Sequence, residues 1–189
     1  VSPTITTTYT VIGSNGSCTN TKTVTLQVSP IPSVTAISSP TAICAGASAT
    51  LTTSGASTYT WNPGALTGTT AVVSPTATTT YTVDGDNGTC IGTQTITLVV
   101  SPNATVTASA SSNTICAGSS ATLTGSGAAS YTWNPGALTG TTAVVSPTTT
   151  TTYTVDGDNG SGCIASNTIA INVNSAPSVS IAATPTVLC

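Results

Sequence analysis

Residues 59–88, YTWNPGALTGTTAVVSPTATTTYTVDGDNG, return as residues 131–160 with one difference, Ala77 in the first copy standing where Thr149 stands in the second. A third, partial copy, VSPTITTTYTVIGSNG, opens the chain, so that Tyr9, Tyr81 and Tyr153 stand 72 residues apart. A period of that size means an array of like units, each solving the same packing problem with the same residues. Residues 1–30 are read as the C-terminal part of a truncated repeat, 31–102 and 103–175 as two complete repeats, and 176–189 as the start of a further one. A unit of about 70 residues buries little apolar surface relative to the entropy of ordering it, so cross-links or neighbours are expected to help hold it.

Composition then removes whole classes of function. His, Glu, Arg, Met and Phe are absent, and Lys22 is the only basic side chain. A nucleic-acid interface needs a cluster of cations to neutralise phosphates, and attachment to anionic lipid needs the same, so neither is expected. No apolar run reaches the 18 or more residues of a membrane-spanning helix, so no membrane insertion of this segment is expected either. Nor is an enzyme expected: Ser and Thr are plentiful, but no His is available to activate them, the few carboxylates lie in one turn, and near-identical units leave no part specialised.

Thr supplies 46 and Ser 25 of the 189 residues, and their placement decides between a disordered stalk and strands. In TVTLQV (residues 23–28), TITLVV (95–100) and TIAINV (168–173), apolar side chains recur at every second position, the period of a half-buried strand whose other face is hydroxyl-rich. Within a repeat, SVTAISS, SATLTTSG, STYTWNPG, TTAVVSP, TTTYTVDG and TQTITLVV read as strands, with PTAICAG as a turn region and ALTG as a connection. Short strands throughout each unit, turns every 8 to 12 residues and no helical period predict an all-β chain of tandem immunoglobulin-like antiparallel β-sandwiches. Tyr59, Trp61, Val83 and Leu98, with Tyr131, Trp133, Val155 and Ile171, are expected to point inward, and Tyr81 and Tyr153 to act as tyrosine corners.

Six cysteines, Cys18, Cys44, Cys90, Cys116, Cys163 and Cys189, suggest a disulfide framework. Without His or a CxxC pair they make poor metal ligands. Cys44 and Cys116 fall between the first two strands of a unit, Cys90 and Cys163 after the turn between the last two, which puts the two classes at opposite ends of a sandwich. Three pairings stay open: an inter-unit bond from Cys44 to Cys163 with the other four pairing outside this segment; intra-unit bonds Cys44 to Cys90 and Cys116 to Cys163; and a linker-spanning series at a constant spacing of 26.

The DGDNG turns place Asp84, Asp86, Asp156 and Asp158 as weak calcium candidates, since alternate carboxylates and a Gly resemble the opening of a calcium loop. The first copy reads IGSNG, keeping Asn-Gly and losing both acids, which favours a plain hairpin turn; no other cofactor is expected. Trp61 and Trp133 are weighed as sugar-stacking platforms and read as core. Asn15, Asn87, Asn103 and Asn159 stand in Asn-x-Ser/Thr sequences and are glycosylation candidates.

ICAGSSATLTGSG followed by YTW, then VSPTTTTTYTV and NGSGC, resembles the tandem Ig-like and PKD-like repeats of very large surface and secreted proteins of Bacteroidota, over both complete units. The resemblance implies an extracellular or cell-surface location and a role as spacer, stalk or adhesin module, with export through a dedicated route. Near-identity of the units favours a structural segment of an extracellular fibre or stalk, whose partners are further copies of the same repeat. The alternative is an adhesin or carbohydrate-binding repeat that takes surface glycans.

Overall fold

The computed structural model describes residues 1–181, and these contain strands and turns without a helix. The chain divides into two compact units between Val100 and Ser101.

The first unit opens with a lone hairpin, β1 (Thr7–Ser14) and β2 (Thr19–Leu26), whose register sets Tyr9 opposite Val24. A sandwich follows. One of its sheets is three-stranded, β3 (Thr35–Ser39) beside β5 (Ala49–Ser54) beside β8 (Thr70–Val73). The other has five strands in the order β4 (Ala42–Cys44), β10 (Ile91–Ser101), β9 (Thr79–Asp86), β6 (Thr58–Asn62) and β7 (Leu66–Thr67).

The second unit repeats that sandwich. β11 (Thr107–Ala110), β13 (Ala121–Ser126) and β16 (Thr142–Val145) form the smaller sheet. β12 (Thr114–Cys116), β18 (Ile164–Asn174), β17 (Thr151–Asp158), β14 (Ser130–Asn134) and β15 (Leu138–Thr139) form the larger. This strand order, with the first edge strand split between the two sheets, makes both units immunoglobulin-like sandwiches in tandem.

Two strands per unit depart from the sequence reading. The PTAICAG region contains β4, and its counterpart β12 runs parallel to β18, with Cys116 opposite Asn174, so the sandwich is not purely antiparallel. The ALTG connection contains β7, which turns back on β6 and sets Leu66 opposite Trp61. Each is two or three residues long, too short to show a period, and becomes a strand only by pairing with an edge already in place.

The cores lie between the sheets. In the first unit Leu51 from the smaller sheet meets Trp61, Val83 and Leu98 from the larger, and all four are fully buried. Leu123, Trp133, Val155 and Ile171 do the same in the second. All eight residues expected to point inward are buried. An indole in such a place needs a partner for its N–H. Trp61 Nε1 donates to the Gly68 carbonyl at 3.2 Å and Trp133 Nε1 to the Gly140 carbonyl at 3.1 Å, so the glycines that immediately follow β7 and β15 satisfy the indoles of the core.

The tyrosine lock is made by different residues from those expected. Tyr59 donates its hydroxyl proton to the Ala56 carbonyl at 2.8 Å and accepts the Ala56 N–H; Tyr131 does the same with Ala128, at 3.0 and 2.7 Å. Those hydroxyls reach back three residues because the chain turns immediately before β6 and β14. Tyr81 and Tyr153 are buried core residues instead, and burial pushes their phenols above the usual value.

Candidate functional site: the entry turn of each unit

The turn between β9 and β10 is built from its own sequence. Gly88 takes a φ of +88°, open to glycine without steric cost, and its N–H donates to Asp86 Oδ1 at 2.6 Å. Asn87 Oδ1 accepts the N–H groups of Thr89 at 3.1 Å and Cys90 at 2.9 Å. With its oxygen held, the carboxamide presents its nitrogen outward, and Nδ2 donates to the Pro30 carbonyl at 3.1 Å, in the linker that enters the sandwich. The Cys90 sulfur lies 3.6 Å from the Ser29 carbonyl in the same linker.

The second unit repeats the arrangement despite the residue inserted in its turn. Asp158 Oδ1 accepts the N–H groups of Gly160 at 2.8 Å and Gly162 at 2.9 Å, which absorbs the insertion. Asn159 Oδ1 accepts from Ser161 and Cys163, and its Nδ2 donates to the Pro102 carbonyl. The Cys163 sulfur is 3.9 Å from the Ser101 carbonyl.

The linker is pressed against the sandwich a few residues further on. A Cβ at Gly55 would stand 2.0 Å from the Ser33 carbonyl oxygen, and one at Gly127 would stand 1.9 Å from that of Thr105; both glycines also have positive φ. The linker is therefore clasped from two turns, by the Asn carboxamide of the entry turn and by the side-chain-free glycine of the turn before β6 or β14.

This accounts for most of the candidate residues. Asp86 and Asp158 close the turn, while Asp84 accepts the Thr93 hydroxyl at 2.7 Å and Asp156 accepts that of Ser166 across the strand pair. No group of three or more His, Cys, Asp or Glu side chains able to hold a metal occurs among the described residues. Trp61 and Trp133 have no exposed surface and cannot stack on a sugar. Asn87 and Asn159 are the clasp residues; Asn15 sits in the turn of the lone hairpin, where its Oδ1 accepts from Ser17 at 3.2 Å and Cys18 at 2.9 Å; Asn103 is exposed in the linker.

Cys44 and Cys163 are disulfide-bonded, whereas Cys18, Cys90 and Cys116 are free thiols; Cys189 lies outside the described residues. Neither intra-unit pair forms, because each would join a bonded cysteine to a free one. The reason is distance. Cys163 precedes the first residue of β18 and Cys116 lies opposite its last, and the strand's 11 residues, at about 3.3 Å each, hold them tens of ångströms apart when a disulfide needs Cα atoms within about 7 Å. The linker-spanning series fails likewise at Cys18 to Cys44 and at Cys90 to Cys116.

The clasp itself was not foreseen. Its sequence signal was the Asn-Gly dipeptide kept in all three copies while the flanking acids were not.

No protein-family model matches the chain, and no curated protein matches it in sequence. Solved structures do. The three N-terminal domains of the highly immunogenic outer capsid protein of bacteriophage RB49 match at 18% identity and TM-score 0.37, over 75% of this chain and 59% of that one. An amphioxus IgVJ-C2 molecule matches at 17% identity and TM-score 0.33, over 69% and 99%. A Ca2+-stabilised adhesin with which an Antarctic bacterium binds ice matches at 15% identity and TM-score 0.41, over 90% and 57%. The chain spans less than two thirds of the phage and Antarctic chains.

Proposed function

We propose that this chain is a structural segment of an extracellular fibre or cell-surface stalk, made of immunoglobulin-like beads joined head to tail, of the kind that the Ig-like and PKD-like repeats of Bacteroidota surface proteins form. The observation that carries the reading is the clasp. In both complete repeats the Asn of the Asn-Gly turn, which the partial copy also keeps, grips the unit's own linker, through Asn87 on Pro30 and Asn159 on Pro102. A recognition loop would present those polar groups to a ligand; a bead in a string uses them to fix how the chain arrives.

The cysteines support the same reading. We propose that Cys44 bonds Cys163, so that a cysteine at the exit edge of one unit is tied to the entry turn of the next, and that Cys18, Cys90 and Cys116 find partners in further repeats. Disulfide-bonded cysteines fit an oxidising, extracellular setting. The partners are then other copies of the repeat, with glycans as surface additions.

Electron microscopy of natively purified material tests the fibre: long uniform strings are expected. Short monomeric chains that bind immobilised glycans would overturn it in favour of an adhesin.

A further inference from the structure

The two complete repeats do not diverge evenly. Residues 59–88 and 131–160 differ at one position, whereas β10 and β18, IGTQTITLVVS against IASNTIAINVN, differ at seven of eleven. The linkers PIPSV (30–34) and PNATV (102–106) differ at three of five. In each unit these two diverging segments touch one another.

In the first unit the linker lies so close to β10 that position 92 has no room for a side chain. A Cβ on Gly92 would stand 2.1 Å from the Pro32 carbonyl oxygen and 3.2 Å from Cγ of the proline ring. In the second unit Ala165 stands at the position of Gly92 and Ala104 at that of Pro32, so where the strand gains a methyl the linker loses a ring. Both alanines pack against the core of their unit. That unit adds a polar contact: Asn167 Oδ1 accepts the Thr168 N–H at 2.7 Å, and its Nδ2 donates to the Val106 carbonyl at 3.0 Å. Gln94, at the same position in the first unit, accepts the Thr95 N–H and donates to no linker carbonyl among the described residues.

We infer that Gly92 with Pro32, and Ala165 with Ala104 and Asn167, are matched sets that let each sandwich accept its own linker and refuse its neighbour's. Tandem units this alike are exposed to misassembly, in which a segment of one unit folds into another. The asparagine clasp does not discriminate, because both repeats present the same carboxamide to a proline carbonyl. The matched sets do. Seated on β18, the first linker would drive its residue-32 carbonyl into the Ala165 methyl, and the fixed φ of proline leaves that backbone little freedom to move aside. Seated on β10, the second linker would lose the amide donor that Asn167 gives the Val106 carbonyl. A clash in one direction and a lost hydrogen bond in the other separate right from wrong pairing. This selection works in any tandem array, fibre or adhesin.

Exchange substitutions in the full chain test the fit. Gly92→Ala should lower the denaturation midpoint of the first unit, and adding Pro32→Ala should recover most of the loss. Ala104→Pro should lower the midpoint of the second unit, and adding Ala165→Gly should recover most of that. Single variants that unfold like the parent, or losses that the second substitution leaves in place, would mean that linker and strand are not fitted to each other. Selection is read in refolding, with a chain whose second unit carries the first unit's set through Ala104→Pro, Ala165→Gly and Asn167→Gln. Its equilibrium midpoint should stay near the parent's, while dilution from denaturant should give a several-fold smaller yield of protease-resistant native protein, because either linker now fits either sandwich. A refolding yield equal to the parent's would overturn the inference, and so would a midpoint far below the parent's, since the set would then not transfer.

Discussion

Trp133 shows what one side chain contributes to a unit this small. It is fully buried, faces Leu123 from the opposite sheet and has its N–H satisfied by Gly140. Trp133→Ala leaves a cavity and an unpaired carbonyl, and should cost about 3 to 5 kcal/mol, a large part of a small domain's stability. Denaturant unfolding of the variant should show the second unit melting early; a midpoint equal to the parent's would mean the indole is not the core. The buried phenols give a second expectation at this scale. Tyr81 and Tyr153 have raised pKa values, so the native state holds their protons more tightly than the unfolded chain does. Their contribution is complete below about pH 10 and is lost as pH climbs through the raised values. Thermal midpoints recorded across alkaline pH should fall in that range, and a variant carrying Y81F and Y153F should fall less. An unchanged slope in that variant would assign the alkaline loss to other groups.

At the scale of elements, the long strands were legible and the short ones were not. β10 and β18 announce themselves by alternation, and their inward Leu98 and Ile171 fall where the period puts them. β4, β7 and their counterparts carry no period, because pairing with a neighbouring edge makes them strands. The turns behave similarly: Asn-Gly predicted the hairpin, but only the folded chain brings Pro30 and Pro102 to the carboxamides. The same packing makes Gly127 irreplaceable. Its φ is +91° and a Cβ would overlap the Thr105 carbonyl, whereas Gly118, at φ +78°, has open space around it. Gly118→Ala should cost about 1 kcal/mol from backbone conformation alone. Gly127→Ala should cost about 1 to 3 kcal/mol more, because the linker must also move. Chemical denaturation of the two variants side by side measures the difference, and equal losses would mean that the linker yields freely.

For the whole molecule, the position of the cysteines sets what reduction can do. An intra-unit bond would stabilise its sandwich, and removing one from a small secreted domain costs about 2 to 5 kcal/mol. On the pairing proposed above, and with the two cysteine classes at opposite ends of a strand like β18, reduction should instead leave the melting of each sandwich nearly unchanged. Non-reducing peptide mapping should recover a Cys44 to Cys163 peptide; a Cys44 to Cys90 peptide would refute the proposed pairing. The sequence by itself determined the repeat, the all-β class, the inward residues and the absence of the cations that nucleic acid or anionic lipid would need. Each of these is written locally, in period, composition and copy number. Tertiary structure alone decided which tyrosines lock the strands, which cysteines are bonded, and that the Asn-Gly turn of each complete repeat grips a linker 57 residues away in the chain. Those outcomes depend on which backbone groups the closed sandwich brings within hydrogen-bonding reach, and no local pattern encodes that distance.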